Sequence, residues 1–331
     1  MTATLKLLTT TALAIGLAGC TTAKKTAPVT ISETEEASRV FAQGTGDLGD
    51  ALTSGATVVA RSVGTAGMNL NYDTGETSLV DAEVEVSQNA NGELTVTVNG
   101  STYAFDASHR RVEASGETYG YETDGSDDNV WVSAFNYTGE IDDLLNPGNG
   151  YLEVLGVQSN QVNGGEPTVR AFAVVGTETE DAALAALPTA TYRGRGQLQV
   201  VPTTGFVNNG TSQTRLRSDL TMTADFGAGT VSGVLDNFTV QDAGSSERNP
   251  VDGTIAMDET NFDVNGFRGS LSADVTFAGS LGISSAEGEY SGAFYGPEAE
   301  EVGGTTWLTA TDTDGATFNG IGYFAGDQYA D

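Results

Sequence analysis

Alternating hydrophobic and polar residues are the main pattern of this chain. From Ala82 to Val86, and again from Leu94 to Val98, every second residue is apolar, which is typical of a strand with one buried face. Asn91-Gly92 lies between the two segments and favours the positive φ angles of a tight turn. The pattern therefore predicts an antiparallel hairpin.

Five more segments before residue 188 have the composition of strands: 102–106, 117–121, 130–137, 151–157 and 169–175. Together with the hairpin they predict a twisted antiparallel sheet within residues 47–188. A short helical turn is predicted at 181–186, before Pro188, which cannot continue a helix. We therefore place a domain boundary there.

The second half alternates in the same way, for example at 220–226 and 271–277. Turn residues divide 191–331, within a second domain placed at 189–331, into about eight strands, near Tyr192, Leu220, Val234, Ile255, Ala273, Tyr290, Trp307 and Ile321. Eight strands can close into a small barrel that has no exposed edge. Glycines within them, such as Gly292, Gly320 and Gly322, permit the close backbone approach that closure needs. The predicted fold class is all-β, an N-terminal antiparallel sheet domain followed by an eight-stranded antiparallel β-barrel, with an open sandwich as the alternative.

The N-terminal residues follow a different pattern. Lys6 precedes an apolar segment over 7–17, which is too short to span a bilayer and indicates a signal peptide at 1–19. The segment ends in Leu-Ala-Gly-Cys, which resembles the lipobox of bacterial lipoproteins and implies acylation of Cys20. An ordinary secreted protein is the alternative. Residues 20–46 have the composition of a flexible tether, with room for a short helix at 33–41.

The formal net charge of −31 limits the classes of partner. Such a surface repels nucleic acid and anionic lipid headgroups. It suits either salty water, where mobile ions screen the self-repulsion, or a cationic partner, and we favour the first. Cys20 is the only cysteine, so after acylation no disulfide or thiolate metal site is expected.

Residues for catalysis or metal binding are sparse. His109 is the only histidine, and we interpret it as a loop or strand-end residue because a lone His cannot build a zinc site. The acidic segments 124–129 and 312–315 hold oxygen ligands but lack the full pattern of a calcium loop. Motifs for a nucleophile, a phosphate loop or a dinucleotide are absent from the strand–helix contexts that they require. We predict a protein that is not an enzyme and has no catalytic residue, metal or cofactor.

Aromatic residues have two possible uses. A dense group is formed by Tyr119, Tyr121, Trp131, Phe135 and Tyr137. Such residues can line a pocket or a partner surface, but core packing is their more common role. For the same reason we expect Trp307 to lie inside the barrel.

One motif resembles a known family. Residues 292–304 read Gly-Ala-Phe-Tyr-Gly-Pro-Glu-Ala-Glu-Glu-Val-Gly-Gly, similar to the Gly-x-Phe-x-Gly-Pro-x-Ala-x-Glu-x-Gly-Gly signature of transferrin-binding protein B-like surface lipoproteins. The matching positions are Gly292, Phe294, Gly296, Pro297, Ala299, Glu301, Gly303 and Gly304. We interpret the motif as structural. Phe294 would point inward at a strand end, residues 296–297 would end the ladder, 298–301 would form a helical turn, and 303–304 would let the next strand bend.

Two weaker similarities bracket the barrel: Leu187–Gly194 resembles the family's entry to the barrel, and Gly322–Gly326 resembles its closing strand. The resemblance implies a handle-like domain before the barrel and a non-enzymatic binding protein or receptor component. It also implies an outer-membrane lipoprotein, on the cell surface or the periplasmic face. Factor H-binding protein is among the relatives.

The implied partners are the membrane, through lipid on Cys20, and an unidentified protein or solute, with an outer-membrane transporter as a further candidate. The family's partner-contacting loops vary, so no ligand is transferred to this chain. Two alternatives remain: a structural or envelope-interaction lipoprotein, and a carrier of a small ligand inside the barrel. Against the carrier, an eight-stranded barrel can be filled by its own side chains.

Overall fold

The structure is a computed structural model. It describes residues 58–61, 66–80, 82, 84–88, 94–98, 101–112, 118–122, 128–135, 151–161, 168–176, 178–206, 213–241, 247–262 and 264–329. The predicted signal peptide, Cys20, the tether with its short helix, the Asn91-Gly92 turn and most of the acidic segment 124–129 lie outside these residues. Within the described ranges, no helix has both the length and the apolarity needed to cross a bilayer.

The first half of the chain forms two antiparallel sheets instead of one. Its strands are β1 (Val58–Arg61), β2 (Ala66–Leu70), β3 (Thr77–Val80), β4 (Val84–Gln88), β5 (Leu94–Val98), β6 (Ser101–Phe105), β7 (Arg110–Val112), β8 (Thr118–Glu122), β9 (Asp128–Phe135), β10 (Leu152–Gln161) and β11 (Thr168–Gly176). The order in one sheet is β1-β4-β5-β6, and in the other β3-β2-β11-β10-β9-β8-β7. The predicted hairpin is confirmed as the antiparallel pair β4–β5.

The two sheets separate because each has an apolar face to bury. Val84, Val96 and Phe105 of the four-stranded sheet form one buried cluster with Val157 and Ala171 of the seven-stranded sheet. A single continuous sheet would leave these faces against water. Alternation predicted most of the strands correctly but gave no information on which sheet each would join.

The second half of the chain is a closed barrel. Its strands are β12 (Ala190–Pro202), β13 (Thr214–Asp225), β14 (Thr230–Gln241), β15 (Asn249–Val251), β16 (Ile255–Asn261), β17 (Phe267–Ala273), β18 (Ile283–Tyr295), β19 (Glu301–Asp312) and β20 (Thr317–Tyr329). The first and last strands, β12 and β20, pair along twelve residues, and the pair β13–β14 completes the ring. Since the short β15 only adds to β14, eight strands form the barrel, as predicted.

Two short helices accompany the strands. The predicted turn before the barrel is confirmed as α1 (Asp181–Leu184). The predicted strand over 271–277 is wrong after Ala273, because α2 (Val275–Leu281) begins there. The Asp274 carboxylate accepts the N–H of Phe277 at 2.6 Å, and Gly282, with φ 66°, ends the helix. This N-cap and C-cap favour a short helix over continued alternation.

The seven-stranded sheet packs against the outside of the barrel. The shared apolar cluster takes residues from β2, β10 and β11 on the sheet side: Ala66, Met68, Leu70, Leu152, Val154, Phe172 and Val174. The barrel side contributes Val201, Phe206, Ala293, Tyr295, Ile321, Tyr323 and Ala325. Trp307 packs against this cluster, so its predicted position inside the barrel is wrong. On β19 it alternates with Leu308, which packs against the barrel core.

Candidate functional site

The motif at 292–304 forms the turn between β18 and β19. Phe294 points into the barrel and is fully buried, as predicted. The ladder ends at Tyr295, and Gly296 follows with φ 87°. Ala299 also has a positive φ, 58°, and its carbonyl accepts the Tyr192 hydroxyl at 2.7 Å. The predicted helical turn at 298–301 is wrong, because Glu301 already begins β19.

Glu301 links the barrel to the preceding sheet domain. Its side chain is fully buried, and one carboxylate oxygen accepts the N–H groups of Tyr151 and Leu152 at 3.0 and 2.8 Å. Leu152 begins β10 and Tyr151 directly precedes it, so the backbone there needs partners for these donors. The motif glutamate therefore holds a strand of one domain against a strand of the other.

Asn265, which the sequence did not indicate, braces the same turn from the β16–β17 connection. Its amide nitrogen donates to the carbonyls of Phe294 and Thr179, at 2.7 and 2.9 Å. Its amide oxygen accepts the N–H of Phe294 at 2.8 Å. Thr179 also donates its N–H to the Phe294 carbonyl and its hydroxyl to that of Gly296. The turn is thus tied to the segment that connects the two domains.

The motif glycines stand where backbones approach closely. A Cβ atom on Gly304 would lie 2.0 Å from the Ser291 carbonyl oxygen, and one on Gly292 would lie 2.4 Å from that of Gly303. A Cβ on Gly303 would lie 3.0 Å from Leu152 and from Val174 of the sheet domain. These positions require glycine for packing within the barrel wall and against its neighbour.

The motif end of the barrel is filled by aromatic side chains. Phe294 is surrounded by four rings, those of Tyr192, Phe226, Phe262 and Phe267, with centroid distances of 5.0 to 5.8 Å. Each pair is tilted or edge-to-face, an arrangement that stabilises aromatic cores. This end of the barrel has the side-chain filling expected for eight strands.

The opposite end contains a cavity of about 140 Å³. Aliphatic side chains make most of its wall, among them Leu216, Ile255, Leu271, Leu281, Ile283 and Leu308. Thr214, Glu287 and Asp312 also line it, and its lining residues include no Lys, Arg or His.

The origin of the cavity is visible on β18 and β19. Ala286 and Ala310 are direct cross-strand partners, and both line the cavity, as does Gly288. Farther along β18, the inward positions carry Tyr290 and Phe294. Small residues at one end of a strand and aromatic residues at the other leave the barrel filled at the motif end only.

Helix α2 lies at the open end. Phe277 and Leu281 line the cavity, and Phe277 also packs on Phe238 with a centroid distance of 4.7 Å. Val275 of the same helix is 89% exposed. Asp274 holds the beginning of α2 through the Phe277 N–H, and this hydrogen bond, with those from Thr254, lowers the pKa of the Asp274 carboxyl.

A half-buried arginine connects the sheet domain to the barrel on another side. Arg170 of β11 donates to Gln158 of β10 at 2.7 and 3.0 Å, to Gln213 at 2.7 Å and to Gln199 of β12 at 3.3 Å. Its hydrogen-bond partners are amides, and burial lowers its pKa. The pKa of Arg215 is also lowered. Burial is the larger cause, and repulsion from two neighbouring arginines adds to it. These contacts help fix the two domains in one arrangement.

The other candidates have local roles in the structure. His109 lies in a short 3₁₀ turn after β6, where its Nδ1 accepts the N–H of Asp106 at 3.1 Å. Asp312 accepts the N–H groups of Asp314 and Ala316, at 2.9 and 2.8 Å, within the β19–β20 turn. In the described residues, no group of three or more His, Cys, Asp or Glu could hold a metal ion.

The aromatic group predicted near β8 and β9 remains a prediction. Tyr119, Tyr121, Trp131 and Phe135 belong to these strands, but their side chains, and all of Tyr137, lie outside what the structure describes.

A closed eight-stranded antiparallel barrel packed on an antiparallel sheet defines the class of protein. Residues 186–328 match the sequence model of the family described as "C-lobe and N-lobe beta barrels of Tf-binding protein B". The barrel sequence therefore matches the barrels of the transferrin-binding protein B family, which confirms the resemblance carried by the motif.

Solved structures of transferrin-binding protein B are similar to this chain. A double mutant of the protein from Haemophilus parasuis Hp5 is 13% identical, with 82% of this chain and 67% of that chain covered and a TM-score of 0.38. Intact Ap-TbpB, with N and C lobes, is 14% identical, with 82% and 77% covered and a TM-score of 0.33. No curated protein matches the chain significantly.

Proposed function

We propose that this chain is a lipid-anchored, non-enzymatic binding protein of the outer membrane. The observation that carries the proposal is the match of residues 186–328 to the barrels of Tf-binding protein B. In this proposal Cys20 is acylated after removal of 1–19, residues 20–46 are the tether, 47–188 a handle-like domain and 189–331 the barrel. The eight motif residues have a structural role, which their buried contacts support.

The partner in this proposal is an unidentified protein or solute, which an outer-membrane transporter could receive. Fixed domain geometry supports such a role, because a partner that touches both domains would meet one preformed surface. Hydrogen bonds join the two domains in addition to the apolar cluster. The Asn319 amide of the barrel donates to the Thr77 carbonyl and hydroxyl of the sheet domain, each at 3.1 Å, and Arg170 of the sheet domain donates to Gln213 of the barrel domain. Transferrin itself is not assigned, because the family's partner-contacting loops vary and no ligand transfers from them to this chain.

The binding role can be tested by photo-cross-linking in intact cells. A photoreactive side chain would replace Asp314, in the β19–β20 turn at the open end, or Ala228, in the β13–β14 turn at the motif end. Asp314 and Ala228 are both exposed. We expect one discrete adduct from one end, and the other end is its matched control. Absence of any adduct at both ends, at normal expression, would contradict a receptor and favour the structural alternative.

The anchor and the orientation need separate measurements. Metabolic labelling with palmitate should mark the full chain and should not mark Cys20→Ser, which would be released from membranes. Protease added to intact cells should then degrade the anchored chain if it faces outward. Protection until the outer membrane is permeabilised would exclude a surface receptor and retain a periplasmic binding role.

A further inference from the structure

The open end of the barrel has the size of a small-molecule site. An engineered cavity of about 150 Å³ lined by Leu, Ile and Phe stays dry and binds benzene, and the cavity here measures about 140 Å³. A ligand with a single six-membered ring, or an alkyl group of similar volume, would fill it.

The wall also restricts the polarity of the ligand. Its apolar side chains cannot compensate a buried charge, and no Lys, Arg or His among the lining residues could pair with an anion. The polar side chains in the wall are Thr214 and the two acids Glu287 and Asp312. One Asp312 oxygen already accepts two backbone N–H groups of the β19–β20 turn. A carboxylate ligand would meet the like charges of Glu287 and Asp312, and Thr214 would be its one side-chain donor among the lining residues, whereas a hydroxyl could bond to Thr214 without that repulsion.

We propose that the barrel mouth, beneath α2, binds a small neutral hydrophobic molecule with one ring and at most one hydroxyl group. The site goes beyond the proposed function, since it requires neither the lipid anchor nor a protein partner. Eight elements contribute lining residues to it: β12, β13, β16, β17, β18, β19, β20 and α2. The ligand would supply the packing that aromatic side chains supply at the motif end.

Toluene, benzyl alcohol and benzoate are suitable probes because they share one ring and differ in polarity and charge. Isotope-labelled isoleucine methyl groups can report the position of binding by NMR. Ile255 and Ile283 line the cavity, whereas Ile321 lies outside the barrel wall in the interdomain cluster. We expect saturable shifts of Ile255 and Ile283 with toluene and benzyl alcohol, an unchanged Ile321, and binding of benzoate at least about tenfold weaker.

Matched substitutions test whether the cavity itself is the site. Ala310→Leu places added carbons in the cavity, and Ala286→Leu places them at its exposed rim. The rim variant keeps the test available if Ala310→Leu does not fold. Ala256→Leu adds the same atoms outside the barrel, since its strand neighbours Ile255 and Met257 point inward. We expect each cavity variant to weaken toluene binding by at least about tenfold, and the Ala256 variant to bind normally.

The proposal is overturned if no probe gives a saturable shift at Ile255 or Ile283. It is also overturned if cavity-filling variants bind toluene normally, or if benzoate binds as well as benzyl alcohol. These measurements use the folded chain in solution without cells or partners. Their failure is therefore distinguishable from a failure of cross-linking or of palmitate labelling.

Discussion

Glu301 is the residue whose buried carboxyl group has the clearest structural consequence. We expect Glu301→Ala to lower the free energy of unfolding by about 3 kcal/mol, because the backbone N–H groups of Tyr151 and Leu152 lose their shared acceptor in a buried site. Urea denaturation would measure the change. Glu301→Gln keeps an oxygen acceptor and should be less destabilising.

Glu298→Ala is the matched control for this prediction. Glu298 lies in the same turn but is exposed, so its truncation should change the unfolding free energy by no more than about 0.5 kcal/mol. Equal losses for the two alanine variants would show that the buried carboxylate has no special role in joining the domains.

Gly304 and Gly279 make a second residue-level comparison. Gly304→Ala would bring its Cβ to 2.0 Å from the Ser291 carbonyl oxygen and should force β18 and β19 apart, with a loss of more than about 2 kcal/mol. Gly279→Ala has no heavy atom within 4 Å of its new Cβ and lies in α2, where alanine stabilises a helix by about 1 kcal/mol. Thermal melts should therefore shift in opposite directions, and a neutral Gly304 variant would contradict the close-packing role.

Single residues were predictable where a local rule applied. The structural interpretation of the 292–304 motif placed Phe294 inside the barrel, and the glycines within the strands indicated close backbone approach. Trp307 was placed on the wrong face of β19. Alternation along a strand separates its two faces, but it does not show that the sheet domain covers the outer face of the barrel. Asn265 precedes a glycine and resembles an ordinary turn residue, so its buried bonds to Phe294 could not be anticipated.

At the level of elements, α2 shows how capping overrides alternation. Leu271, Ala273, Val275 and Phe277 continue the period of a strand, yet the chain turns into a helix after Ala273. Asp274 and Gly282 were the available signals, an N-cap and a C-terminal glycine eight residues apart. Had the strand continued, the barrel mouth would lack the helix whose Phe277 and Leu281 line the cavity.

The cap predicts how α2 responds to acid. Hydrogen bonds, first that from the Phe277 N–H, lower the pKa of Asp274 in the folded protein. The stabilisation is thus present above the carboxyl's unfolded pKa of about 4 and is lost as the pH falls through the lower folded value. We expect the protection of the Ala278 amide, measured by hydrogen exchange relative to its intrinsic rate, to fall between pH 5 and pH 2.

Two variants separate the cap from general acid effects. Asp274→Asn retains an N-cap acceptor without a titrating group, so the acid loss at Ala278 should disappear. Asp314→Asn, in an exposed turn at the same end of the barrel, should leave that loss unchanged. If both variants behave like the parent chain, protonation of Asp274 does not control α2.

At the scale of the whole molecule, the order of the two parts and the closed barrel followed from strand count and from the motif. The number of sheets before the barrel did not, since pairing partners are chosen by long-range burial that a single sequence does not display. The cavity belongs to this scale as well. It depends on Ala286 facing Ala310 across two strands, a register that alternation alone does not fix.

Net charge is the remaining property of the whole molecule, and it predicts a dependence of stability on salt. A chain of formal charge −31 repels itself in the compact state, and the repulsion is screened as the Debye length falls from about 30 Å at 0.01 M to about 3 Å at 1 M salt. We expect Tm to rise over this range and to do so equally in NaCl and KCl, because screening does not distinguish the two cations. Sucrose at matched osmolality separates screening from preferential exclusion, which strengthens burial without ions. A Tm that is independent of salt would contradict the adaptation to salty water. It would favour the alternative, in which the acidic surface binds a cationic partner.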